Sequence, residues 1–413
     1  MADIELNDVQ EQEFNRQWEA LAFGVSEITP EDDFRKMLRH SIKVDQPLRV
    51  KCGIDPTSVD VHLGHTVPYR KMRQFQDFGH IGVVIIGDYT ASIGDPSGKN
   101  ESRPPLDSAT VQSNAKKYME QIFTVLNPEK TEVCYQSEWF SEVGLKDLLL
   151  WAGQTTVAKL LGHDTFKNRL DEGNSLSLHE LFYPVLQGID SVYVKADVEL
   201  GGTDQRFNVL MGRDYQKNKD MRPQVAMLLP IITGTCGTQK MSKSLNNYIG
   251  ILDEPFDKFG KVMSIPDELM PEYFKYVSGM DHLTASKTID DLSSGSLHPN
   301  EAKKSLATRV VSYFHGAETG AKMREQFENV FKKKSVPDEI PELQISESVS
   351  VLDLMIKGAL IPSKKEGRRL LEQGAVSFVD GDKVTDPAMN IDNTFDQKIL
   401  KVGKRKFLKL VFS

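Results

Sequence analysis

The region from residue 48 to residue 88 constrains the fold most, because its pattern predicts two buried strands around one helix. Residues 48–54 form an apolar run, residues 66–78 have helical periodicity, and residues 80–88 form a second, β-branched apolar run. A strand, a helix and a strand within about forty residues make a βαβ unit. The sequence therefore predicts an α/β protein with a parallel sheet, in which this unit is half of a nucleotide-binding fold.

Two histidines lie where the first predicted strand gives way to its helix. His62 and His65 belong to the sequence HLGH, with Gly64 between them. In a parallel sheet this junction lies at the carboxyl edge, where ligands bind, and the first helical turn offers unpaired N–H groups to a phosphate. Gly64 lets a ligand approach the backbone, and imidazoles donate to phosphate oxygens as charge develops. An ordinary helix cap beside a surface histidine is the alternative. A zinc site is weaker still, because no Glu follows His62.

A cationic segment, KMSKS at residues 240–244, is the second candidate. Gly234 and Gly237 precede it, and Asn246 and Asn247 follow it. Two lysines three residues apart in a glycine-flanked loop form a mobile clamp that suits a polyphosphate.

Composition excludes several classes of protein. The 413 residues are 39% hydrophobic and 27% charged, as in ordinary soluble domains. Cys52, Cys134 and Cys236 lie far apart without a CxxC pair, which argues against a disulfide scaffold or a structural zinc site and fits a reducing cytosol. No stretch approaches the ~18 apolar residues of a membrane span, and the acidic N-terminus does not resemble a signal peptide.

The two candidate segments together resemble the signatures of a known family. HLGH at 62–65 and KMSKS at 240–244, in this order and about 180 residues apart, are similar to the signatures of class I aminoacyl-tRNA synthetases. The surrounding residues resemble bacterial tyrosyl-tRNA synthetases over nearly the whole chain. One branch of that family has a tyrosine before the Cys52-Gly53 dipeptide that helps bind the phenol. This chain has Lys51 there, and so resembles the other bacterial branch.

The resemblance implies a Rossmann-like parallel-sheet catalytic domain with a helical insertion, an α-helical anticodon-side domain and a small α+β RNA-binding module. Charge supports the last of these, because residues 351–413 hold twelve Lys or Arg against eight Asp or Glu, whereas the whole chain has a net charge of −8. A solvated charged face is the alternative. The predicted boundaries are 1–248 for the catalytic domain with its insertion at about 106–180, 249–334 for the helical domain, 335–348 for a proline-rich linker, and 349–413 for the RNA-binding module.

The insertion carries apolar residues that the resemblance assigns to a dimer interface. An intramolecular core explains them equally well, since periodicity does not separate the two. These residues are Leu148, Leu149, Leu150, Trp151, Val157, Leu160 and Leu161.

Residues 177–194 predict a strongly apolar helix with a polar face. Tyr183, Gln187 and Asp190 lie at i, i+4 and i+7, and such groups are costly in apolar surroundings unless they are satisfied or used. An ordinary helix with a polar edge is the alternative. The resemblance implies that Tyr183 and Gln187 hold the ammonium of tyrosine and that Asp190 accepts its phenol O–H. Phenylalanine would leave that acceptor unpaired, a discrimination for which tyrosyl-tRNA synthetase is itself the standard worked example.

The loop after the second strand is rich in glycine and acids. GDPSGK at 94–99 superficially resembles a P-loop, but its spacing is one residue short and Asn100 stands where Ser or Thr must ligate magnesium. A plain turn explains the segment without any function. The resemblance implies instead that Asp95 faces the ammonium of the amino acid, and that Lys99 and Arg103 reach the β- and γ-phosphates of ATP.

The sequence GGTDQ at 201–205 opens a further helix, and a tight turn capped by Thr203 explains it locally. The resemblance implies that Gly202 and Asp204 bind adenosine and that Gln205 lies near the tyrosine carboxylate. With no metal ligand, the implied set is catalytic His62, His65, Lys240, Lys243, Lys99, Arg103 and Thr57; ATP-binding His62, Gly64, His65, Gly202, Asp204, Lys240, Met241, Lys243 and Ser244; and tyrosine-binding Asp55, Thr90, Asp95, Tyr183, Gln187, Asp190 and Gln205.

The resemblance implies tyrosine–tRNA ligase activity. Tyrosine would react with ATP, which carries Mg²⁺, to give tyrosyl-adenylate and pyrophosphate, and the acceptor end of tRNA(Tyr) would then take the tyrosyl group. A cytoplasmic homodimer is the implied assembly. A tryptophanyl-type synthetase and a catalytically silent RNA-binding relative are the alternatives. The polar face at 183–190 and the RNA-binding module speak against the first, and the two complete signatures speak against the second.

Overall fold

A computed structural model describes residues 4–57, 59–96, 107–332, 340–379, 381, 383–403 and 406–412 of the chain. Two units are distinguished by their internal contacts, Met1–Ala321 and Lys322–Ser413. Within the described ranges, no helix combines the length and the apolar character needed to cross a membrane.

A six-stranded sheet lies in the first unit. Its strands are β1 (Glu27–Thr29), β2 (Arg49–Ile54), β3 (Ile81–Ile86), β4 (Thr131–Tyr135), β5 (Val198–Gly202) and β6 (Val225–Leu229). Their order is β1-β6-β5-β2-β3-β4, and all neighbours are parallel except β1, which pairs antiparallel with β6. The near-continuous burial of β3 and β6 is that of parallel strands covered on both faces, which confirms the predicted α/β class.

Helices connect these strands, and the predicted βαβ unit is present as β2, α3 and β3. The polar-faced segment at 177–194 is a short 3₁₀ turn, Leu178–Phe182, followed by α9. The helices of this part are α1 (Asp8–Ala22), α2 (Glu31–Val44), α3 (Leu63–Asp77), α4 (Ser108–Ile122), α5 (Ser137–Phe140), α6 (Leu145–Ala152), α7 (Val157–Leu160), α8 (Asp164–Asp171), α9 (Tyr183–Tyr193) and α10 (Arg206–Lys217).

Some apolar residues of the insertion lie in the core of this unit, and others lie at its surface. Trp151 and Leu160 are buried in a core cluster, against which Leu148 also packs. Leu149 and Val157 are 63% and 61% exposed. The insertion therefore supplies core to this unit and also leaves apolar side chains of α6 and α7 at its surface.

Helices dominate the chain after β6. They are α11 (Pro255–Met263), α12 (Met270–Tyr276), α13 (His282–Ser293), α14 (Pro299–His315) and α15 (Ala317–Lys332).

The second unit contains a four-stranded sheet, and part of its edge was predicted as linker. Residues 342–345 form a strand parallel to the last strand of the chain, so the predicted linker 335–348 is wrong for these residues. The sheet order is β7-β12-β11-β9. The elements are β7 (Glu342–Ile345), β8 (Val349–Ser350), α16 (Val351–Lys357), α17 (Lys364–Glu372), β9 (Val376–Phe378), β10 (Asn390–Ile391), β11 (Ile399–Val402) and β12 (Lys406–Phe412).

A buried ion pair joins the two halves of the large sheet where strand order reverses, between β2 and β5. Lys51 lies opposite Glu199 in the ladder, and the Lys51 Nζ is 3.0 Å from a Glu199 carboxylate oxygen. Both side chains are at most 1% exposed. Lys51 Nζ also donates to the Gln187 carbonyl oxygen (2.9 Å) and to the Ser191 hydroxyl (2.7 Å), both on α9. One ammonium group therefore fastens two strands and the polar-faced helix together.

This geometry predicts the effect of Lys51→Met on stability. The substitution leaves the Glu199 carboxylate buried without its counter-ion, and breaking a buried pair in this way costs about 3–5 kcal/mol. The free energy of unfolding, measured by urea denaturation, is expected to fall by about that amount. The control is Lys159→Met, which breaks the exposed pair with Asp214 and is expected to change it by less than about 1 kcal/mol. Equal losses in the two variants would contradict the assignment.

Candidate active site

The HLGH turn is formed by the end of β2 and the start of α3. His62 is the residue before the first helical residue, Leu63, and is itself buried. The rings of His62 and His65 stack, with centroids 3.6 Å apart and planes 21° apart. The turn therefore holds two imidazoles together at the N-terminus of α3.

The KMSKS segment packs directly on this turn. Met241 is 4% exposed, and its Sδ accepts a hydrogen bond from the Gly64 N–H at 3.4 Å. A Cβ on Gly64 would lie 3.1 Å from the His62 ring and 3.6 Å from the Met241 Cβ, so the glycine permits this close approach. Farther on, the Leu63 N–H donates to the Ile249 carbonyl at 2.9 Å. Two segments that are far apart in the sequence therefore lie on one cleft.

A cavity of about 630 Å³ opens beside both segments. Most of the predicted site residues line this cavity. Their individual roles remain predictions. Those that line it are Asp55, Thr57, His62, Gly64, His65, Thr90, Asp95, Tyr183, Gln187, Asp190, Gly202, Asp204, Gln205, Lys240, Met241 and Ser244.

Three of the predicted residues, Lys243, Lys99 and Arg103, are not in the described lining of the cavity. The Lys243 Nζ lies 3.8 Å from a carboxylate oxygen of Asp60, two residues before His62. Burial lowers the pKa of the Lys243 ammonium, and Asp60 opposes that shift. Lys99 and Arg103 lie outside the described residues.

One end of the cavity holds a carboxylate clamped by two hydroxyls. Asp55 accepts hydrogen bonds from the Thr90 hydroxyl at 2.6 Å and from the Tyr183 hydroxyl at 2.9 Å. Gly87 lies behind this contact, and a Cβ there would lie 2.2 Å from an Asp55 carboxylate oxygen and 2.3 Å from the Thr90 hydroxyl. These bonds connect β2, the loop after β3 and α9, and so fix the side chains around a polar corner.

Asp190 lies deeper and is held by two donors that the sequence analysis missed. The Gln136 side-chain amide donates to it at 2.8 Å, and the Trp139 indole N–H at 3.2 Å. Burial raises the pKa of the Asp190 carboxyl to about 7, which the two hydrogen bonds oppose. Gln136 also accepts from the Thr90 N–H at 3.0 Å. Nothing in the sequence singled out Gln136 except its position directly after β4, which places it at the carboxyl edge of the sheet.

The remaining polar groups of α9 and α10 are also held in place. The Gln187 side-chain amide donates to Glu199 at 3.1 Å, so the buried ion pair of the sheet orients a cavity residue. Lys51 does not line the cavity in the described structure and acts on Gln187 from behind. The Gln205 amide donates to Asp95 at 2.8 Å, which brings the loop after β3 next to the start of α10.

Both histidines of the turn are neutral at physiological pH. Burial, with a smaller contribution from the nearby Lys243 charge, lowers the pKa of His62 to about 3 and that of His65 to about 4, and His65 adds to the shift of the His62 pKa. Neutral imidazoles still present one N–H donor each. The cavity can therefore bind a phosphate through neutral donors of the turn and through the ammonium group of Lys240, the lysine of the KMSKS segment in the described lining.

Comparison with known proteins shows which sequences this chain is similar to. A family model described as tRNA synthetases class I (W and Y) matches residues 43–332, and one described as the tyrosine–tRNA ligase SYY-like C-terminal domain matches residues 332–410. A tyrosine–tRNA ligase of Moorella thermoacetica is 47% identical over 401 residues, 97% of each chain. One of Carboxydothermus hydrogenoformans is 43% identical over 406 residues, 97% of this chain and 98% of that one.

A solved structure shares the fold. The crystal structure of tyrosyl-tRNA synthetase complexed with L-tyrosine from Archaeoglobus fulgidus superposes with a TM-score of 0.60 at 20% identity. The superposition covers 75% of this chain and 99% of that one.

The histidine pKa values give a prediction for NMR. Between pH 5 and 8, the ring carbons of His62 and His65 are expected to show no titration, because the neutral forms persist down to about pH 4. In Lys243→Ala, both pKa values are expected to rise, since a neighbouring positive charge is lost. A titration near pH 6.5 in the unmodified protein, the ordinary value for histidine, would contradict the burial argument.

Proposed function

We propose a mechanism from one premise: this chain belongs to the tyrosine–tRNA ligases of the class I tRNA synthetase family. It activates tyrosine with ATP and transfers the tyrosyl group to tRNA. The observation that carries the mechanism is the shared cavity, in which the HLGH turn, the KMSKS segment and the polar face of α9 meet. No side chain needs to act as a nucleophile, because the tyrosine carboxylate attacks directly.

Tyrosine binds at the end formed by α9 and β2. Its ammonium faces Asp95, Tyr183 and Gln187. The Tyr183 hydroxyl already donates to Asp55, so its oxygen is available to accept from the ammonium. At the deep end, Asp190 accepts the phenol O–H; Gln136 and Trp139 each occupy one of its oxygens, and each oxygen keeps a second lone pair.

ATP binds at the opposite end. Gly202 allows close backbone approach of adenosine and Asp204 binds the ribose, while Gln205 lies nearest the tyrosine carboxylate. His62 and His65, with Thr57 beside them, donate to the phosphates as neutral groups, which leaves the lysines to carry the positive charge. Lys240 and Lys243, with Met241 and Ser244 of the same segment, hold the leaving pyrophosphate. Lys99 and Arg103 assist from the other side, as the family resemblance implies.

The chemistry has two steps. A tyrosine carboxylate oxygen bonds to the α-phosphorus of ATP, and the bond from that phosphorus to the bridging oxygen breaks, which releases pyrophosphate. A ribose hydroxyl oxygen at the acceptor end of tRNA(Tyr) then bonds to the carbonyl carbon and loses its proton to solvent. The bond from that carbon to the phosphate oxygen breaks, which releases AMP. Mg²⁺ enters with ATP as part of the substrate, and the protein contributes orientation and charge stabilisation.

The second unit supplies a surface for tRNA. On α17 the side chains of Lys364, Lys365, Arg368 and Arg369 are exposed, whereas Gly367 and Leu371 are buried. A helix with one basic face and one packed face suits contact with phosphates. This supports the role of residues 349–413 as an RNA-binding module.

We also infer that the chain works as a cytoplasmic homodimer. Leu145, Leu149, Leu150 and Val157 of α6 and α7 are 59–73% exposed, and exposed apolar patches of this kind mark association surfaces. A second copy of the insertion is the partner that the family resemblance implies.

Lys243→Ala tests the clamp. If Lys243 binds pyrophosphate as it leaves, tyrosine-dependent pyrophosphate exchange is expected to slow by about a hundredfold or more, while the Kd for tyrosine stays within about twofold. The matched control is Lys219→Ala, at an exposed position outside the cavity lining, which is expected to leave both unchanged. Equal losses of rate and tyrosine affinity would exclude a transition-state role for Lys243.

Asp190→Asn tests substrate choice. The preference for tyrosine over phenylalanine in kcat/KM is expected to fall by about tenfold or more, because the amide is a weaker acceptor than a buried carboxylate. With a pKa of about 7, the Asp190 carboxyl ionises as pH rises through neutrality, so the KM for tyrosine in the unmodified protein is expected to fall between pH 6 and 8. The variant should lose that pH dependence. An unchanged preference would remove Asp190 from the specificity role.

A further inference from the structure

The loop that carries the KMSKS segment is closed at its base by backbone contacts. The Met241 N–H donates to the Ile232 carbonyl at 2.8 Å, and the Gly234 N–H to the Gln239 carbonyl at 2.8 Å. These bonds hold residues 232–241 as a narrow hairpin. These backbone bonds end at Met241, so they do not fix the second half of the KMSKS segment, residues 242–244.

One buried side chain supplies that fixation. Asn247 is 4% exposed and does not line the described cavity. Its side-chain oxygen accepts from the Ser242 N–H at 2.8 Å, and its side-chain nitrogen donates to the Lys240 carbonyl at 3.0 Å. The side-chain amide of Asn247 therefore forms hydrogen bonds with the backbone on both sides of Met241.

The same amide reaches the outer part of the hairpin. Its nitrogen also lies 3.2 Å from the Cys236 sulfur and 3.4 Å from the Gln239 carbonyl oxygen. A Cβ on Gly234 would lie 2.4 Å from the Asn247 side-chain carbon and nitrogen. The glycine that precedes the signature is thus the residue that gives the amide its space.

We propose that Asn247 is a positioning residue for adenylate formation, because its amide sets the conformation in which Met241 packs on the HLGH turn and the signature lysines reach the phosphates. The chain of contacts runs from the Asn247 amide to the backbone around Met241, and from the Met241 sulfur to the Gly64 N–H. An aspartate in its place has the same shape but lacks the N–H donors to Lys240. This inference rests on the proposed role of the KMSKS lysines.

The test compares Asn247→Asp with Asn246→Asp. The two changes are chemically identical at adjacent positions, but Asn246 is exposed. We expect tyrosine-dependent pyrophosphate exchange to slow by about tenfold to a hundredfold in Asn247→Asp and by less than about twofold in Asn246→Asp, with the Kd for tyrosine unchanged in both. The thermal midpoint is expected to fall only in Asn247→Asp, because a buried carboxylate replaces the amide that donates to the Lys240 carbonyl. A loss of tyrosine affinity that parallels the loss of rate would overturn the proposal, as would equal rates in the two variants.

A double-variant cycle supplies the sharper readout. If Asn247 acts by placing the lysines, then Asn247→Asp is expected to cost less in a Lys243→Ala background than alone, whereas multiplicative losses would overturn the proposal. Should Asn247→Asp not fold, Asn247→Ser is measured in the same way. The unmodified chain distinguishes a failure of the proposed function from a failure of this inference. If the unmodified chain shows no pyrophosphate exchange, the proposed function is wrong. If the unmodified chain is active and Asn247→Asp is equally active, only the inference about Asn247 is wrong.

Discussion

The buried pair between Lys51 and Glu199 is the interaction on which the rest of the site depends. Burying two charges is costly, and it is offset only where the remaining lone pairs and protons are satisfied. Here Ser191 donates to Glu199 and accepts from Lys51, while the Gln187 carbonyl accepts a second Lys51 bond. Because the pair lies where strand order reverses, and ligands of such sheets bind beyond that point, it forms the fixed wall behind the cavity.

The cavity in front of this ion pair has two ends with different chemistry. The end against α9 is built from carboxylates fixed by neutral donors, as Asp55 is by Thr90 and Asp190 by Gln136. The other end combines the stacked neutral imidazoles of His62 and His65 with the ammonium group of Lys240. Neutral histidines do not repel nearby lysines, so both kinds of donor can approach one phosphate chain. The two ends of the cavity thus differ in charge, as the proposed separation of amino acid and nucleotide requires.

Much of the fold and part of the site could be predicted from local pattern. The runs at 48–54 and 80–88 predicted β2 and β3, since buried parallel strands are apolar along their whole length. Residues 342–345 were predicted as linker, because a short edge strand next to prolines carries no periodicity of its own. Gln136 was missed for a similar reason: one glutamine after a half-buried strand has no signature until Asp190 is placed beside it.

The sequence by itself determined the α/β class, the two signature segments and the polar face of α9, because each is written in the spacing of neighbouring residues. Only the tertiary structure decided that Met241 packs on Gly64, that Lys51 points away from the cavity into a buried pair, and that the insertion divides between core and surface. Those outcomes depend on which strands become neighbours in the sheet. Contacts between residues far apart in the chain leave no periodic trace in it, since each partner meets the other only after the chain has folded.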